Sequence, residues 1–261
     1  LHGVTLLMDP EVPCGVTLAF TERTGGFSEG EFASLNLGSR CGDNLQQVQK
    51  NRKLVLEALG AGEFFSQILI PHQVHGSNVV CLTSNTSEAF ELAKAEAEAG
   101  ADAIVCTVQN TPVMLAFADC VPVILVAPGG FAVAHSGWKG TIARISARAT
   151  EALCQATGAK PSEVKAYIGP HIGSADYEVS LELIQMFSQE FGPGVVDRAS
   201  GERYLDLGYA VRAALVDAGV RASAIEEVTD STASTTERFF SYRAERGKCG
   251  RHAAVAYMAS K

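Results

Sequence analysis

Runs of apolar residues and apolar/polar alternation predict strands at 15–21 (GVTLAFT), 67–75 (QILIPHQVH), 103–107, 113–118, 121–127, 131–135, 165–169 (KAYIG) and 252–258. The runs at 113–118, 121–127 and 131–135 are almost wholly apolar and parted by short turns, the pattern of buried strands. Pro71 suits an edge strand or a bulge, because it cannot donate to a ladder. Apolar positions three and four apart predict helices. Asn44 is placed to cap one whose stripe is Leu45, Val48, Val55 and Leu59, stopped by Gly60. A second starts near Thr141 with Ile142, Ile145, Ala149 and Leu153 on one face and ends at Gly158 and Pro161. Others are expected at about 180–191 and from the N-cap Asp206 to Gly219. The acidic, mostly polar stretch 84–100 is helix-prone and reads as a surface excursion. No repeat, low-complexity tract or Pro/Ser linker divides the chain. The expectation is one domain over 1–261, of α/β (α+β) class, with mixed sheet and helices.

Composition narrows the function classes. The chain is 47% apolar and 19% charged, an ordinary globular balance, and at 261 residues it is long enough to fold without staples. The formal net charge is -8 with no lysine- or arginine-rich run, which argues against a nucleic-acid partner. Small anionic ligands stay open, since they need only two or three placed cations. The 7 cysteines form no CxxC pair and no disulfide framework, so reduced thiols and a cytoplasmic location are expected. Neither a secretory signal nor a membrane-spanning run is visible.

Candidate chemistry gathers at predicted strand ends. His75 closes Gln73-Val74-His75-Gly76, Cys120 ends MLAFADC, and His135 ends FAVAH. Two imidazoles and a thiolate are a zinc ligand set that leaves a fourth position for water or substrate. A buried Cys and two hydrogen-bonded His within a core would leave the same trace. His72 competes with His75, three residues before it, and on these grounds alone the two are not separated. The turn Gly137-Trp138-Lys139-Gly140 between a strand and a helix suits a phosphate or carboxylate, or is only a tight turn with Trp138 packed over it. Arg52 and Arg243 offer further cations.

Taken together, TERTGGFSEGEFASLNLG, CGDN, HQVHG, ADAIVCT, FADCVPVIL, AHSGWKG, YIGPHIGSADYEV and FFSYR with Gly250-Arg251 resemble the YfiH-type laccase-domain family, also labelled polyphenol oxidase or purine nucleoside phosphorylase. The resemblance runs from about residue 15 to residue 257. It implies a layered α/β/β/α fold similar to the cytotoxic necrotising factor type cysteine hydrolases. It implies a metal and catalytic site at His75, Cys120 and His135, favouring His75 over His72. It implies Zn2+ as cofactor, with copper as an adventitious occupant. The implied activities are phosphorolysis of adenosine, inosine, guanosine and methylthioadenosine, and deamination of adenosine. Arg52, Gln73, Lys139 and Arg243 are then the candidates for substrate and phosphate contacts, and Asp119 and Glu178 for proton transfer. Two other activities fit the same residues: a Cys120/His135 amide hydrolase that edits cell-wall precursors, and a copper-dependent polyphenol oxidase. The last is disfavoured, because 6 histidines are few for a multicopper site and no HxH pair exists. The sequence departs from the family at Ser136, Lys139, Ser231 and Ala244.

Overall fold

Apolar side chains that alternate along strands need a second layer on each face, and this chain supplies three apolar interfaces. The structure, a computed structural model, describes residues 3–260. Among the described residues, β1 (Leu6–Met8), β2 (Val16–Thr21), β5 (Val113–Phe117) and β10 (His252–Met258) form an antiparallel sheet in the order β1-β2-β10-β5. A second, six-stranded sheet has the order β3-β4-β7-β6-β8-β9. Its strands are β3 (Val79–Leu82), β4 (Ala103–Cys106), β6 (Val121–Ala127), β7 (Gly130–Ser136), β8 (Lys165–Ile168) and β9 (Ile225–Glu227). This sheet is mixed: β3–β4 and β8–β9 run parallel and the other pairs antiparallel.

Leu18, Phe20, Leu115 and Phe117 from the first sheet meet Ile104, Ile124, Phe131 and Val133 from the second, so the sheets pack face to face. On the outer face of the first sheet, Ala19, Met114 and Val255 pack against Leu54 and Val55 of helix α1 (Leu45–Ala58) and against Leu59, which caps its C-terminus. On the outer face of the second lie α4 (Ile145–Thr157), α5 (Leu181–Phe191) and α6 (Leu207–Asp217), through Ile145, Leu153, Phe187, Val211 and Leu215. The layers are therefore α/β/β/α. Helix α2 (Ser87–Gly100) is mostly exposed, as its polarity predicts, but buries Ala93 and Ala97 beside β3.

The predicted caps form. Asn44 Oδ1 accepts from Gln46 N at 2.8 Å and Asp206 Oδ1 from Tyr209 N at 2.8 Å. Three expectations change. The helix expected from Thr141 is two: α3 (Trp138–Ile142) and α4, broken at Arg144, whose φ of 56° is left-handed. Ile142 and Ile145 both face the helical layer, so the apolar spacing runs across the break. Residues 67–75 form no strand: Gln67 closes a 3-10 helix, His75 is left-handed, and the segment pairs only through the bridge of Leu69 to Val113. Cys120 does not end a strand. β5 stops at Phe117, and Cys120 lies in the turn that carries the chain from one sheet to the other at β6. Hydropathy does not point to β1, β3 or β9, which have three or four residues each.

Candidate metal centre

The crossing from β5 to β6 puts Cys120 at an end of the sandwich. Register does the next step. Val121 pairs with Ser136 and Pro122 with His135, so Cys120 faces the start of the turn after β7. That turn begins at Gly137, where a Cβ would stand 2.9 Å from Cys120 Sγ and 3.0 Å from the His75 ring. Glycine is required here for space, since its φ is an ordinary -75°. His75 arrives on the loop before β3, also with a left-handed φ, of 59°. The ligand atoms of His75, Cys120 and His135 all lie within 4.8 Å of one another, and the two imidazoles meet edge to face at 4.8 Å between centroids. His75 is exposed, Cys120 half-buried and His135 buried. His72 does not join them; its backbone is tied to Ala97 and Ala101 of the α2 region.

A residue the motif reading passed over organises this group. Asp102, at the mouth of β4, is buried and accepts from His135 Nδ1 at 2.8 Å. It also accepts from three successive backbone N–H groups, of Val74 (3.3 Å), His75 (3.0 Å) and Gly76 (2.7 Å). One carboxylate thus holds the loop carrying one imidazole and the ring of the other. A carboxylate directly before an apolar buried strand (ADAIVC) was the available signal, because a buried charge must find partners.

The electrostatics follow. Burial alone would raise the Cys120 thiol, but the charge on His135 and hydrogen bonds from His135 and His75 outweigh it and bring the thiol down to about 6. Burial opposes a charged His135, yet the Cys120 thiolate and Asp102 raise it to about 9. Asp102 is raised by burial and lowered more by its bonds from His135 and Gly76. With Nδ1–H committed to Asp102, Nε2 of His135 is left to face the centre, where a proton or a metal ion can occupy it. Ligands at tetrahedral zinc stand about 3.3–3.8 Å apart. The donor types and the depressed thiol fit such an ion, while ligand atoms spread over as much as 4.8 Å would draw together by about 1 Å to close on it.

The group lies in a cleft of about 530 Å³. Of the candidate substrate residues, Arg52, Gln73 and Arg243 line it and Lys139 does not. Lys139 is exposed, with Nζ 5.4 Å from the centre of the Trp138 ring. The Gln73 amide is fully engaged with the Ala116 backbone, donating at 2.8 Å and accepting at 2.9 Å, and so pins the His75 loop to β5. Arg243 donates from its backbone to Asp119 (2.8 Å) and from its side chain to the Glu178 carbonyl (3.0 Å), and it stacks on Tyr177. Asp119 lines the cleft and also accepts from Thr232 Oγ1 at 2.7 Å. The Glu178 carboxylate is outside the cleft lining, 3.4 Å from Arg203. Arg251, Arg40 and Tyr177 line the cleft as well, without having been singled out by the sequence reading.

Residues 17–259 match the family described as multi-copper polyphenol oxidoreductase laccase. The chain belongs to this family. A purine nucleoside phosphorylase of Deinococcus radiodurans is 36% identical to this chain, over 97% of its length and 92% of the relative's. A prokaryotic protein named adenosine deaminase RL5 is 31% identical, over 88% of each chain. The crystal structure of YfiH, a hypothetical protein of Bacillus licheniformis, superposes with a TM-score of 0.86 at 31% identity, over 99% of this chain and 97% of that one. No helix among the described residues is long and apolar enough to cross a membrane.

Proposed function

We propose that this chain, acting as one domain, is a zinc-dependent purine nucleoside phosphorylase with adenosine deaminase activity. Its partners are purine nucleosides (adenosine, inosine, guanosine and methylthioadenosine) and phosphate. The observation that carries this reading is the His75–Cys120–His135 group, whose ligand atoms converge within 4.8 Å in the cleft. The phosphorylase and deaminase relatives supply the chemistry to look for. Seven free cysteines fit a reducing, cytoplasmic setting.

A zinc ion held by the three side chains supplies Lewis-acid activation of water or of a substrate oxygen. The remaining work falls to the protein. Asp102 keeps the proton on His135 Nδ1. Cys120 stays deprotonated at neutral pH. Tyr177, Ile172 and Leu207 give the cleft an apolar wall for a purine ring. Asp119 is the carboxylate in the cleft, and both its oxygens already accept hydrogen bonds, so it first holds Thr232 and Arg243 in position. Arg52 is available to hold phosphate against the anomeric carbon while charge develops on the base.

The test is phosphate-dependent release of base from inosine and adenosine, with metal content measured on the same sample. The expected result is one zinc per chain and loss of release in His75→Ala and Cys120→Ala. Turnover that survives in either variant overturns the metal-centred reading.

A second reading is favoured by the depressed Cys120 thiol beside a protonated His135, the pair a cysteine amide hydrolase needs. The likeness to cytotoxic necrotising factor type hydrolases, and an editing role on cell-wall precursors, belong to it. Chelation separates the two, since a metal enzyme loses activity and a cysteine hydrolase keeps it. Multicopper oxidase chemistry is not supported. Among the described residues His75, Cys120 and His135 are the one group of three or more such ligands, and copper there is read as adventitious.

A further inference from the structure

The cationic wall of the cleft is built from one short segment. Leu37 O accepts from Arg52 Nε at 3.0 Å, and Leu37 N donates to Arg251 O at 2.9 Å. Asn36 Oδ1 accepts from both Gly38 N (3.0 Å) and Arg251 N (2.8 Å). The Arg251 stem lies so close over Gly38 that a Cβ there would stand 2.6 Å from Arg251 Cγ. Two guanidinium groups are thus hung on residues 36–38, and both line the cleft.

Among the described residues no carboxylate lies within 4.0 Å of Arg52, Arg251 or the neighbouring Arg40, as the ion pairs there all fall on other residues. Arg52 is only 6% exposed, yet among the described residues only its Nε is hydrogen-bonded, and its terminal nitrogens donate to no protein atom. Burial lowers it to about 10, which leaves it charged at neutral pH. Arg251 Nη1 is spent on the Cys249 and Gly250 carbonyls, at 2.8 Å each, leaving its other donors. Cys41, whose Sγ lies 3.2 Å from Gly38 O, is the one neighbour whose charge favours the ionised Arg52, and it is a thiol and not a carboxylate. The Arg52 terminal nitrogens are not sealed in the interior but open to the cleft, so an anion entering it meets two guanidinium groups with donors to spare.

We propose that Arg52 and Arg251, with Arg40 at the rim, form a seat for a tetrahedral oxyanion whose ligand is inorganic phosphate. The seat rests on the phosphorylase reading only for the role of its ligand as cosubstrate. It excludes Arg243 and Lys139 from the phosphate contact. Arg251 also lies over an aromatic ring, that of Tyr242, but it is half-buried against residues 36–38, whereas Arg243 is exposed and tied to Asp119 and Glu178 away from that segment, and Lys139 does not line the cleft.

Calorimetric titration of inorganic phosphate into the zinc-loaded protein, without nucleoside, tests the seat independently of turnover. Saturable binding is expected, weakened about tenfold or more by Arg251→Gln and by Arg52→Lys, which keeps the charge but loses the planar fork. Arg243→Gln is expected to bind phosphate as the unaltered protein does. Melting temperature and zinc content identify any variant that has lost its fold, and Arg251→Gln, at a half-buried site, keeps the test open if Arg52→Lys has. In steady state, a raised KM for phosphate with an unchanged KM for inosine supports the seat. Phosphate binding without any phosphorolysis supports the seat and overturns the phosphorylase reading. Unweakened binding in folded Arg251→Gln overturns the seat. So does a loss in Arg243→Gln as large as that in Arg251→Gln. Tighter, Arg251-dependent binding of a nucleoside 5′-monophosphate than of phosphate overturns the assignment to free phosphate and gives the seat to a phosphate ester.

Discussion

Asp102 bears on the centre more than its distance from the ligand set in sequence suggests. It fixes the His135 tautomer and, through three backbone N–H groups, holds His75 in a left-handed conformation that costs a non-glycine residue roughly 1–2 kcal/mol. Asp102→Asn removes the charge that favours the Nδ1–H and places an amide against N–H donors. Zinc affinity is expected to fall roughly 10–100-fold, read by competition with a chromophoric chelator. Affinity equal to that of the unaltered protein removes Asp102 from this role. Cys120, His135 and His75 were visible as residue types. Asp102 was not, because its partners are backbone groups brought in by folding.

Among the elements, α1, α2, α5 and α6 begin where short polar side chains can accept the first free N–H groups, while α3 and α4 start without such a cap. Asn44, Thr86, Ser180 and Asp206 each do so. Asp206→Ala is expected to cost about 1 kcal/mol. In a chain of this size that lowers the melting temperature by about 2–4 °C. Zinc content should not change, because the cap touches none of the ligands. A changed zinc content would tie α6 to the centre. The break between α3 and α4 lies outside what such local rules reach. Arg144 there bonds Glu190 of α5 and Asp217 of α6, partners far along the chain.

For the molecule as a whole, a polar tie joins the two sheets outside their apolar interface. Asp9, just after β1, accepts from Lys165 at 2.8 Å and from the Tyr167 hydroxyl, both on β8. Burial would raise Asp9, but the bonds from Lys165 and Tyr167 outweigh it and hold the carboxyl at about 2, against 3.8 for the free group. The folded state therefore favours the ionised form. Its contribution, on the order of 1 kcal/mol after solvent screening, is present above pH 3.8 and is lost as pH falls through 2. Asp9→Asn is expected to lower stability at pH 7 and to flatten the decline between about pH 4 and 2, as measured by urea unfolding across that range. An unchanged acid limb removes this tie from the stability of the sandwich.

The sequence by itself determined most of the strands and helices, their caps and the three ligand types, since hydropathy period and capping are properties of neighbours along the chain. The motifs also carried the family. Tertiary structure decided the rest. It decided that β5 and β6 belong to different sheets, so that Cys120 sits in the crossing. It decided that Gly137 must lack a side chain because Sγ and an imidazole occupy its space. It decided that Arg251 stands beside Arg52 and Lys139 outside the cleft. These outcomes depend on register and on contacts between residues from 17 to about 200 positions apart, which no local period encodes.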